Sequence, residues 1–319
     1  MKFSKVLLII ITVLISLIGL SLFTSNLAMD AVLDEIKTTE PLKKEDVGVV
    51  EELVTREEES NVVHIALLGI DALKTASSTT SRSDAIKLLS LNMNNKTATI
   101  TSIQRDMLLW LPGNVQDYHK LNHAYWHDGP KLTLETINYN FDLDVSRYVA
   151  LNFDAFKLII DSIGGIDVNG VLLNNGEEAL SYLRNRSDSD YYRMDRQTET
   201  ILAIFEKIKT FPYEDLLAIL TDVLPFIETN LTKDEIIGFA LDALTLDLAN
   251  IESYHVPSGD YSDTKSISYN GFSPLYIIDS YQDMVKEVHQ RIYDIHDYEP
   301  SARIKETEAK IYEKFGRVN

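Results

Sequence analysis

The sequence predicts an α/β fold, a three-layer α/β/α sandwich around a mixed central sheet, with one transmembrane helix at the N-terminus. Short apolar, β-branched runs alternate with longer stretches of helical periodicity, which predicts strands interleaved with helices. This alternation continues over residues 60–297 without a break in composition, which favours one large domain. A nearly uninterrupted apolar run over residues 6–23 predicts the transmembrane helix.

The apolar run follows Lys2 and Lys5 and is long enough to cross a bilayer. As a helix it would span roughly 27 Å, close to the thickness of the hydrocarbon core. Because lysines flank only its front end, the positive-inside rule keeps the N-terminus cytoplasmic and exports the remainder. A cleaved signal peptide is the alternative, but residues 26–28 are a poor cleavage site. We therefore expect a single-pass protein of the cell membrane.

Four parts of the chain follow from this topology. Residues 1–29 are the cytoplasmic stub and anchor. Residues 30–60, with 11 acids against 4 bases, are an acidic extracytoplasmic stalk. Residues 61–297 form the globular domain, and residues 298–319 a charged tail.

Strands dominate the start of the globular part. Residues 62–70 are a β-branched run that ends at Asp71, which predicts a strand buried on both faces. Residues 85–91 and 97–103 predict two more strands, and two asparagines at 94–95 supply turn residues between them.

Helices are predicted where caps and periodicity coincide. Pro130 opens one helix, at a position where its missing N–H costs nothing. A helix over 153–163 ends at two glycines, and a short strand follows at 166–168. The remaining predicted elements are helices over 177–184, 194–209, 213–228, 233–247 and 273–295 and a strand over 251–257.

Composition narrows the function classes. Lysine and arginine total 30 against 49 aspartate and glutamate, so the formal net charge is −19, and cysteine is absent. The lack of cysteine excludes disulfides, zinc–thiolate sites and thiol catalysis. The acidic total excludes a general nucleic-acid binder, since phosphate neutralisation needs a basic face. It leaves room for a local anion site, because residues 61–205 contribute only −4.

Two carboxylates are expected at one sheet edge. Asp71 follows the strand 62–70, and Arg82-Ser83-Asp84 leads into the next strand. Because strand ends on one edge of an α/β sheet share a crevice, Asp71 and Asp84 are candidate ligands for Mg²⁺, which takes one or two carboxylates plus phosphate and water oxygens. A turn or cap role for each aspartate is the alternative.

Cationic residues follow at the next strand end. Arg105 and Asp106 come directly after residues 97–103, where the fork of an arginine is able to bind a phosphate. The alternative is a surface ion pair of small energetic value. Lys120 and His123 come later in one loop, and His123 is a candidate base or, alternatively, a structural histidine.

Four arginines fall within 13 residues. Arg184 and Arg186 end one predicted helix, and Arg193 and Arg196 share a face at the start of the next. Cations at a helix N-terminus oppose the macrodipole unless negative charge compensates. That charge comes either from three aspartates between 188 and 195 or from a bound polyphosphate.

In this order the segments resemble the LytR–CpsA–Psr (LCP) family of cell-wall glycopolymer ligases. The matching stretches are LLGIDA (67–72), SRSDAIKLLSLN (81–92), SIQRDMLLWLPG (102–113), KLNHAYWHDGPKLT (120–133), YVALNFDAFKLIIDSIGGIDV (148–168), NNGEEALSYLRNRSDSDYYRMDRQ (174–197) and NIESYHVPSGDYSD (250–263). Each stretch alone is a weak signal, whereas seven in register are specific.

The resemblance implies an activity. Members are α/β sandwiches that take a polyprenyl-pyrophosphate-linked glycopolymer as donor and attach it to peptidoglycan. By this likeness the chain is expected to be a Mg²⁺-dependent (alternatively Mn²⁺-dependent) phosphotransferase that forms a phosphodiester, with a teichoic acid or capsular polysaccharide as the polymer. The expected partners are the lipid-linked donor, the peptidoglycan acceptor and the membrane, with no nucleic acid.

The resemblance also implies residue roles. Asp71 and Asp84 match the metal ligands, and Asp106 is a candidate base for the acceptor hydroxyl. The residues expected to bind the pyrophosphate are Arg82, Arg105, Lys120, Arg184, Arg186, Arg193, Arg196 and Gln197. The candidate catalytic residues are Arg105, Asp106, Arg184 and Arg186. Gln104 stands where the family usually has proline, a departure that removes no charged group.

Two other functions fit the same residues. A pyrophosphatase acting on lipid-linked pyrophosphates would use water in place of the sugar hydroxyl. A non-enzymatic envelope regulator or wall-binding protein would bind the polymer without transferring it. Direct control of transcription is disfavoured, because an exported domain lacks a basic DNA-binding helix.

Overall fold

The structure is a computed structural model that describes residues 36–49, 60–71, 81–185, 190–208, 222–236, 252–258 and 264–318, with residues 211, 215, 219, 238 and 239. The predicted anchor at 6–23 and Arg186 lie outside the described residues, as do about half of the stalk, seven residues of the helix predicted over 213–228 and most of the helix predicted over 233–247. In the described part of the chain, no helix is both long enough and apolar enough to span a membrane.

The described strands and helices alternate along the chain. The strands are β1 (Lys37–Thr38), β2 (Val62–Ile70), β3 (Ser83–Asn92), β4 (Thr97–Ile103), β5 (Leu108–Leu111), β6 (Asp117–Lys120), β7 (Arg147–Asn152), β8 (Ile166–Val168), β9 (Val171–Leu173), β10 (Ile227–Thr229), β11 (Glu252–Val256), β12 (Thr264–Tyr269) and β13 (Phe272–Ile278). The α-helices are α1 (Leu121–Phe141), α2 (Phe153–Ser162), α3 (Gly176–Arg184), α4 (Asp190–Ile208), α5 (Tyr281–Tyr293) and α6 (Ala302–Phe315). The prediction of an α/β fold with a central mixed sheet is confirmed.

The chain divides into two compact units. The first unit comprises the described residues within 1–41, 96–100 and 149–253, and the second comprises those within 42–95, 101–148 and 254–319.

Mixed strand pairing characterises the first unit. Strand β1 pairs in parallel with β10, and β10 pairs antiparallel with β7, with Ile227 opposite Leu151. Its core is formed by apolar residues of α2, α3 and α4 and of the neighbouring strands. Helix α2 begins at an Asn152 cap, whose side chain accepts a hydrogen bond from the backbone N of Ala155 at 2.8 Å.

Helices α2 and α3 approach closely at Gly176. A Cβ at this position would lie 2.5 Å from the Cα of Lys157 and 2.6 Å from its carbonyl oxygen. Only glycine therefore fits between the two helices without moving backbone. Asn175 caps α3 by accepting from the backbone N of Glu178 at 2.9 Å, so the sequence Asn-Gly both starts the helix and lets it dock.

The second unit is built on the antiparallel pair β2–β3. Its register runs from Val62 opposite Asn92 to Ile70 opposite Ser83, with a shift between Gly69 and Ile70. Two antiparallel hairpins, β5–β6 and β12–β13, and the helices α1, α5 and α6 complete the unit. The antiparallel register sets the end of β2 beside the start of β3, which places the predicted polar residues at one edge.

Three element predictions need correction. Residues 273–278 are the strand β13 and not a helix, because Leu275 and Ile277 are buried at a period of two against β12. Residues 227–228 belong to β10 and not to a helix. Helix α1 begins at Leu121, ahead of Pro130, and its backbone leaves the helical region at residues 128–129, so that Pro130 opens its second segment.

Candidate functional site

The ends of β2 and β3 bring three of the predicted site residues together. Asp71 follows β2, and its backbone N–H donates to the carbonyl oxygen of Arg82 at 3.3 Å. Asp84 is the second residue of β3. Asp71 and Arg82 are exposed and Asp84 is half-buried. The shared sheet edge expected from the sequence is therefore present.

Four charged side chains of the second unit form a connected series. A guanidinium N–H (Nη1) of Arg105 donates to Oδ1 of Asp84. Nε of Arg105 lies 3.4 Å from Oδ2 of Asp106, and Nζ of Lys120 donates to Oδ1 of Asp106 at 2.7 Å. We call Asp84, Arg105, Asp106 and Lys120 the charge series. Its side chains are 9–30% exposed, so they are screened less by solvent than surface ion pairs are.

The backbone around Arg105 is fixed from several directions. The N–H of Gln104 donates to the carbonyl of Val256 at 3.0 Å, and the carbonyl of Arg105 accepts from Asn122 N at 3.1 Å. The carbonyl of Asp106 accepts from Tyr276 N at 3.0 Å. Strand β11, helix α1 and strand β13 thus hold the segment that carries the two side chains, which is the preorganisation that anion binding benefits from.

His123 lies buried and neutral near these cations. Its side chain is 1% exposed, its Nδ1 is 3.4 Å from Nδ1 of His119, and its ring centroid is 4.4 Å from that of Phe272. Burial, followed by the positive charge of Arg82, lowers the pKa of His123 to about 3. Burial also lowers the pKa of His119. The contacts favour the structural interpretation of His123, and the sequence offered no signal for its pairing with His119.

The arginine cluster lies in the first unit. Arg184 ends α3 and is exposed, with its guanidinium carbon 4.4 Å from the centroid of the Phe153 ring. Arg193 and Arg196, near the start of α4, are both buried. Gln197 follows on the same helix and is half-buried.

Arg196 bonds backbone carbonyls at the end of α3. Its Nε donates to the carbonyl of Tyr182 at 3.1 Å, and its Nη2 donates to that of Asn185 at 2.6 Å. A cation at a helix C-terminus is favoured by the macrodipole, and its N–H groups bond the last carbonyls of the helix. The structure therefore gives Arg196 a role in holding the turn after Arg184, which the spacing of the arginines did not predict.

The oxygen donors of this edge fit a hard cation. Asp71 and Asp84 supply carboxylates, and Mg²⁺ is commonly held by one or two carboxylates with phosphate oxygens and waters. Two further oxygens, Oγ of Ser83 and Oδ1 of Asn122, are buried without a hydrogen-bond partner in the described chain. Across the described ranges no group of three or more His, Asp or Glu is placed to hold a metal. A cation here would thus depend on a phosphate ligand for much of its coordination.

The chain is similar to one family over most of its length. The LytR_cpsA_psr family matches residues 23–172 and 169–285. A polyisoprenyl-teichoic acid–peptidoglycan teichoic acid transferase, TagU of Bacillus cereus, is 30% identical over 260 residues, or 74% of this chain and 81% of that protein. TagT of Bacillus subtilis, a transferase of the same description, is 32% identical over 226 residues, or 62% of this chain and 68% of that protein.

Solved structures share the fold. The crystal structure of Bacillus subtilis TagT has a TM-score of 0.55 and 26% identity, and the match covers 82% of this chain and 99% of that one. A structure of TagT bound to LIIa-WTA has a TM-score of 0.53 and 28% identity, with 73% of this chain and 91% of that one covered.

Proposed function

The chain belongs to the LytR–CpsA–Psr family and is a transferase, and from this we propose that it moves a polyprenyl-pyrophosphate-linked glycopolymer onto peptidoglycan through a phosphodiester. The names of its relatives support a teichoic acid as the polymer, and a capsular polysaccharide is the alternative. The three-layer α/β/α sandwich predicted from the sequence, with helices on both faces of the sheet, is also part of this proposal.

The charge series is the observation that carries the proposal. Catalysis of phosphoryl transfer depends on positioning and charge neutralisation by the protein more than on covalent catalysis. Arg105 and Lys120 supply two cations on a backbone held by three other elements. Asp84 and Asp106 hold those cations in place until an anion competes for them, so a pyrophosphate would meet cations that are already oriented.

The proposed step is a displacement at phosphorus. The acceptor hydroxyl attacks the phosphorus joined to the sugar of the donor, a new oxygen–phosphorus bond forms, and the pyrophosphate bridge breaks to release polyprenyl phosphate. The hydroxyl proton passes to a carboxylate, either Asp106 or one of the pair Asp71 and Asp84. Arg105 and Lys120 stabilise the charge that develops on the leaving phosphate.

A bound Mg²⁺ would add charge neutralisation at the phosphate oxygens. Asp71 and Asp84 are the residues proposed to hold it, with Mn²⁺ as an alternative ion. Arg82 would bind the pyrophosphate from the same edge.

Further cations are proposed from the family to which the chain belongs. Arg184, Arg186 and Arg193 are proposed to bind the pyrophosphate, with Gln197 donating from its amide. Arg196 is proposed to act with them while it holds the carbonyls after α3.

The membrane context is part of the same proposal. Residues 6–23 would anchor the chain, and the site would face the extracytoplasmic side. This topology would put the site where lipid-linked wall precursors and peptidoglycan meet. Of the stalk predicted over 30–60, residues 36–49 belong instead to the folded units, because β1 pairs with β10 and Val47 is fully buried.

Transfer by the full chain in detergent tests the proposal. The donor is a labelled polyprenyl-pyrophosphate-linked glycopolymer, the acceptor is undecorated peptidoglycan, and the readout is label in the insoluble wall. We expect Mg²⁺-dependent transfer that Arg105→Ala lowers by roughly 100-fold or more. The control is Arg291→Ala, which removes a surface ion pair with Glu287.

Reactions without peptidoglycan distinguish the proposed transferase from a pyrophosphatase. Release of polyprenyl phosphate at an undiminished rate in the absence of acceptor would identify a pyrophosphatase and overturn the transferase proposal. Transfer by Arg105→Ala at the wild-type rate would overturn the assigned site.

A further inference from the structure

A groove in the second unit has no part in the chemistry described so far. It encloses about 540 Å³ between strands β5 and β6 and helices α1 and α6. Trp110, Tyr118 and Tyr139 supply aromatic rings, and α6 supplies Glu306, Lys310 and Lys314. A volume of this size lies within the range of small-molecule binding sites.

The aromatic wall is built by strand pairing. Trp110 is directly opposite Tyr118 in the β5–β6 hairpin, and the two rings meet edge to face with centroids 5.0 Å apart. Trp110 and Tyr139 are half-buried, so part of each ring stays accessible. Burial raises the pKa of Tyr118 to about 12, which keeps its phenol a hydrogen-bond donor at all physiological pH.

The opposite wall carries charges of both signs. Lys310 lies 2.7 Å from Glu306 across one turn of α6, in a pair that is largely exposed. Nζ of Lys314 lies 5.2 Å from the centroid of the Tyr118 ring and 4.5 Å from that of Tyr269. A ligand of this groove would thus meet the accessible parts of Trp110 and Tyr139 on one side and both a cation and a carboxylate on the other.

The groove is close to the charge series along the chain. Tyr118 and Lys120 are two residues apart in β6, so their side chains leave the same face of the strand about 7 Å apart. Lys120 in turn donates to Asp106. Strand β6 therefore carries one residue of the groove and one of the charge series.

These features fit one class of ligand. Pyranose rings present flat C–H faces that pack on aromatic side chains, and their hydroxyl and acetamido groups need polar partners at the edge. The stem peptides of peptidoglycan carry free carboxylates and free amines, which complement Lys310 or Lys314 and Glu306. A lipid would instead require an apolar wall throughout.

We propose that this groove is an acceptor subsite that binds the amino-sugar strand and stem peptide of peptidoglycan. The inference rests on the proposed function for its biological meaning, whereas binding itself can be measured without any donor. The groove would then orient the acceptor hydroxyl toward the charge series.

The test measures binding of soluble glycan–peptide fragments of undecorated peptidoglycan to the full chain in detergent by calorimetry. We expect Trp110→Ala and, independently, Lys310→Ala to raise Kd by about tenfold or more. The matched controls are Tyr192→Ala, an exposed aromatic residue of the first unit, and Lys305→Ala, an exposed lysine of the same helix α6. Both controls should bind like the wild type.

Lys310 is exposed, so its variant separates binding from folding if Trp110→Ala unfolds. In transfer assays the groove variants should raise KM for peptidoglycan at least about tenfold while Kd for the lipid-linked donor changes less than twofold. Wild-type Kd for fragments in Lys310→Ala and in a folded Trp110→Ala would overturn the subsite. Fragment binding by the wild type without any transfer would instead overturn the proposed function and leave the groove standing.

Discussion

The guanidinium of Arg105 donates a hydrogen bond to the carboxylate of Asp84. The first of these residues is proposed to bind a pyrophosphate and the second to hold a metal ion. In the structure each satisfies the other, so both ligands would have to exchange with this contact. The ion pair thus keeps the two charges oriented and neutral overall.

Replacing Asp84 by asparagine should separate catalysis from stability. Asp84→Asn removes the charge and keeps the shape, and we expect transfer to fall by roughly 100-fold or more because the cation site loses a carboxylate. The free energy of unfolding should fall by no more than about 2 kcal/mol, since asparagine keeps an acceptor oxygen for Arg105. Activity assays and urea denaturation measure the two effects.

Asp283→Asn is the matched control for this variant. Asp283 pairs with Lys286 on the surface of α5 and lies in no proposed site. It should leave both transfer and stability unchanged. Full activity in Asp84→Asn would remove this residue from the site.

The pair Lys120–Asp106 should contribute more to stability than a surface pair. Because Asp106 is 9% exposed and contacts two cations, Asp106→Ala should cost roughly 2–4 kcal/mol by leaving Lys120 without its carboxylate. Lys120→Met combined with Asp106→Ala should cost less than the sum of the single changes, with a coupling of about 1–3 kcal/mol. Urea unfolding of the wild type, the two single variants and the double variant gives this coupling energy.

The exposed pair Lys305–Glu299 is the reference for that cycle. Its side chains are 47% and 78% exposed, so its coupling should stay under about 1 kcal/mol. Equal coupling in the two cycles would show that the contact with Asp106 is an ordinary surface pair.

Some of the fold was readable from local sequence. Strands 62–70 and 97–103 were predicted residue for residue, since a β-branched apolar run has few alternatives. Helix α3 was predicted within one residue from its Asn-Gly start. Strand β13 was missed because its pairing with β12 is a tertiary contact that local periodicity does not carry.

In the candidate site, too, local features were predicted from the sequence and tertiary contacts were not. Strand ends predicted that Asp71 and Asp84 share an edge, because the position of a strand end is a local property. The partners of Arg105 depend on the register of β2–β3 and on bonds from β11, α1 and β13, which no local pattern encodes. The carbonyl partners of Arg196 are likewise set by how α4 packs on α3.

Arg196 should be needed for stability in the absence of any ligand. Arg196→Met keeps the apolar stem and removes both donors, so the carbonyls of Tyr182 and Asn185 lose their hydrogen bonds from the guanidinium. We expect a loss of roughly 1–3 kcal/mol in the free energy of unfolding. Arg196→Lys should recover part of it, since an ammonium is a point donor and cannot reproduce the fork.

Arg184→Met is the control, because Arg184 is exposed and lies on the Phe153 ring. It should cost less than about 1 kcal/mol. If Arg196→Met and Arg184→Met cost the same, the carbonyl contacts of Arg196 contribute nothing to the fold.

His123 should make the protein less stable as pH falls from neutral. Burial lowers the pKa of His123 from 6.5 to about 3, so the unfolded chain binds a proton below pH 6.5 while the folded protein does not until about pH 3. The contribution of neutral His123 to the free energy of unfolding is therefore fully present above pH 6.5. It is lost progressively as pH falls toward 3. For this one group the loss between pH 7 and pH 5 is about 2 kcal/mol.

His123→Gln removes the titration and should flatten the dependence of unfolding free energy on pH by about that amount. The residual slope would include His119, whose pKa burial also lowers. Gln290→Ala is the control, because Gln290 is exposed and its amide binds no proton in this range, so the slope should stay unchanged. Urea unfolding at pH 5, 6 and 7 gives the slopes, and equal slopes in wild type and His123→Gln would mean that His123 already carries a proton when folded or is solvated there. A flatter slope in His123→Gln would show instead that the imidazole beside Arg82 stays neutral in the folded protein between pH 5 and pH 7, so that it adds no positive charge to this edge there.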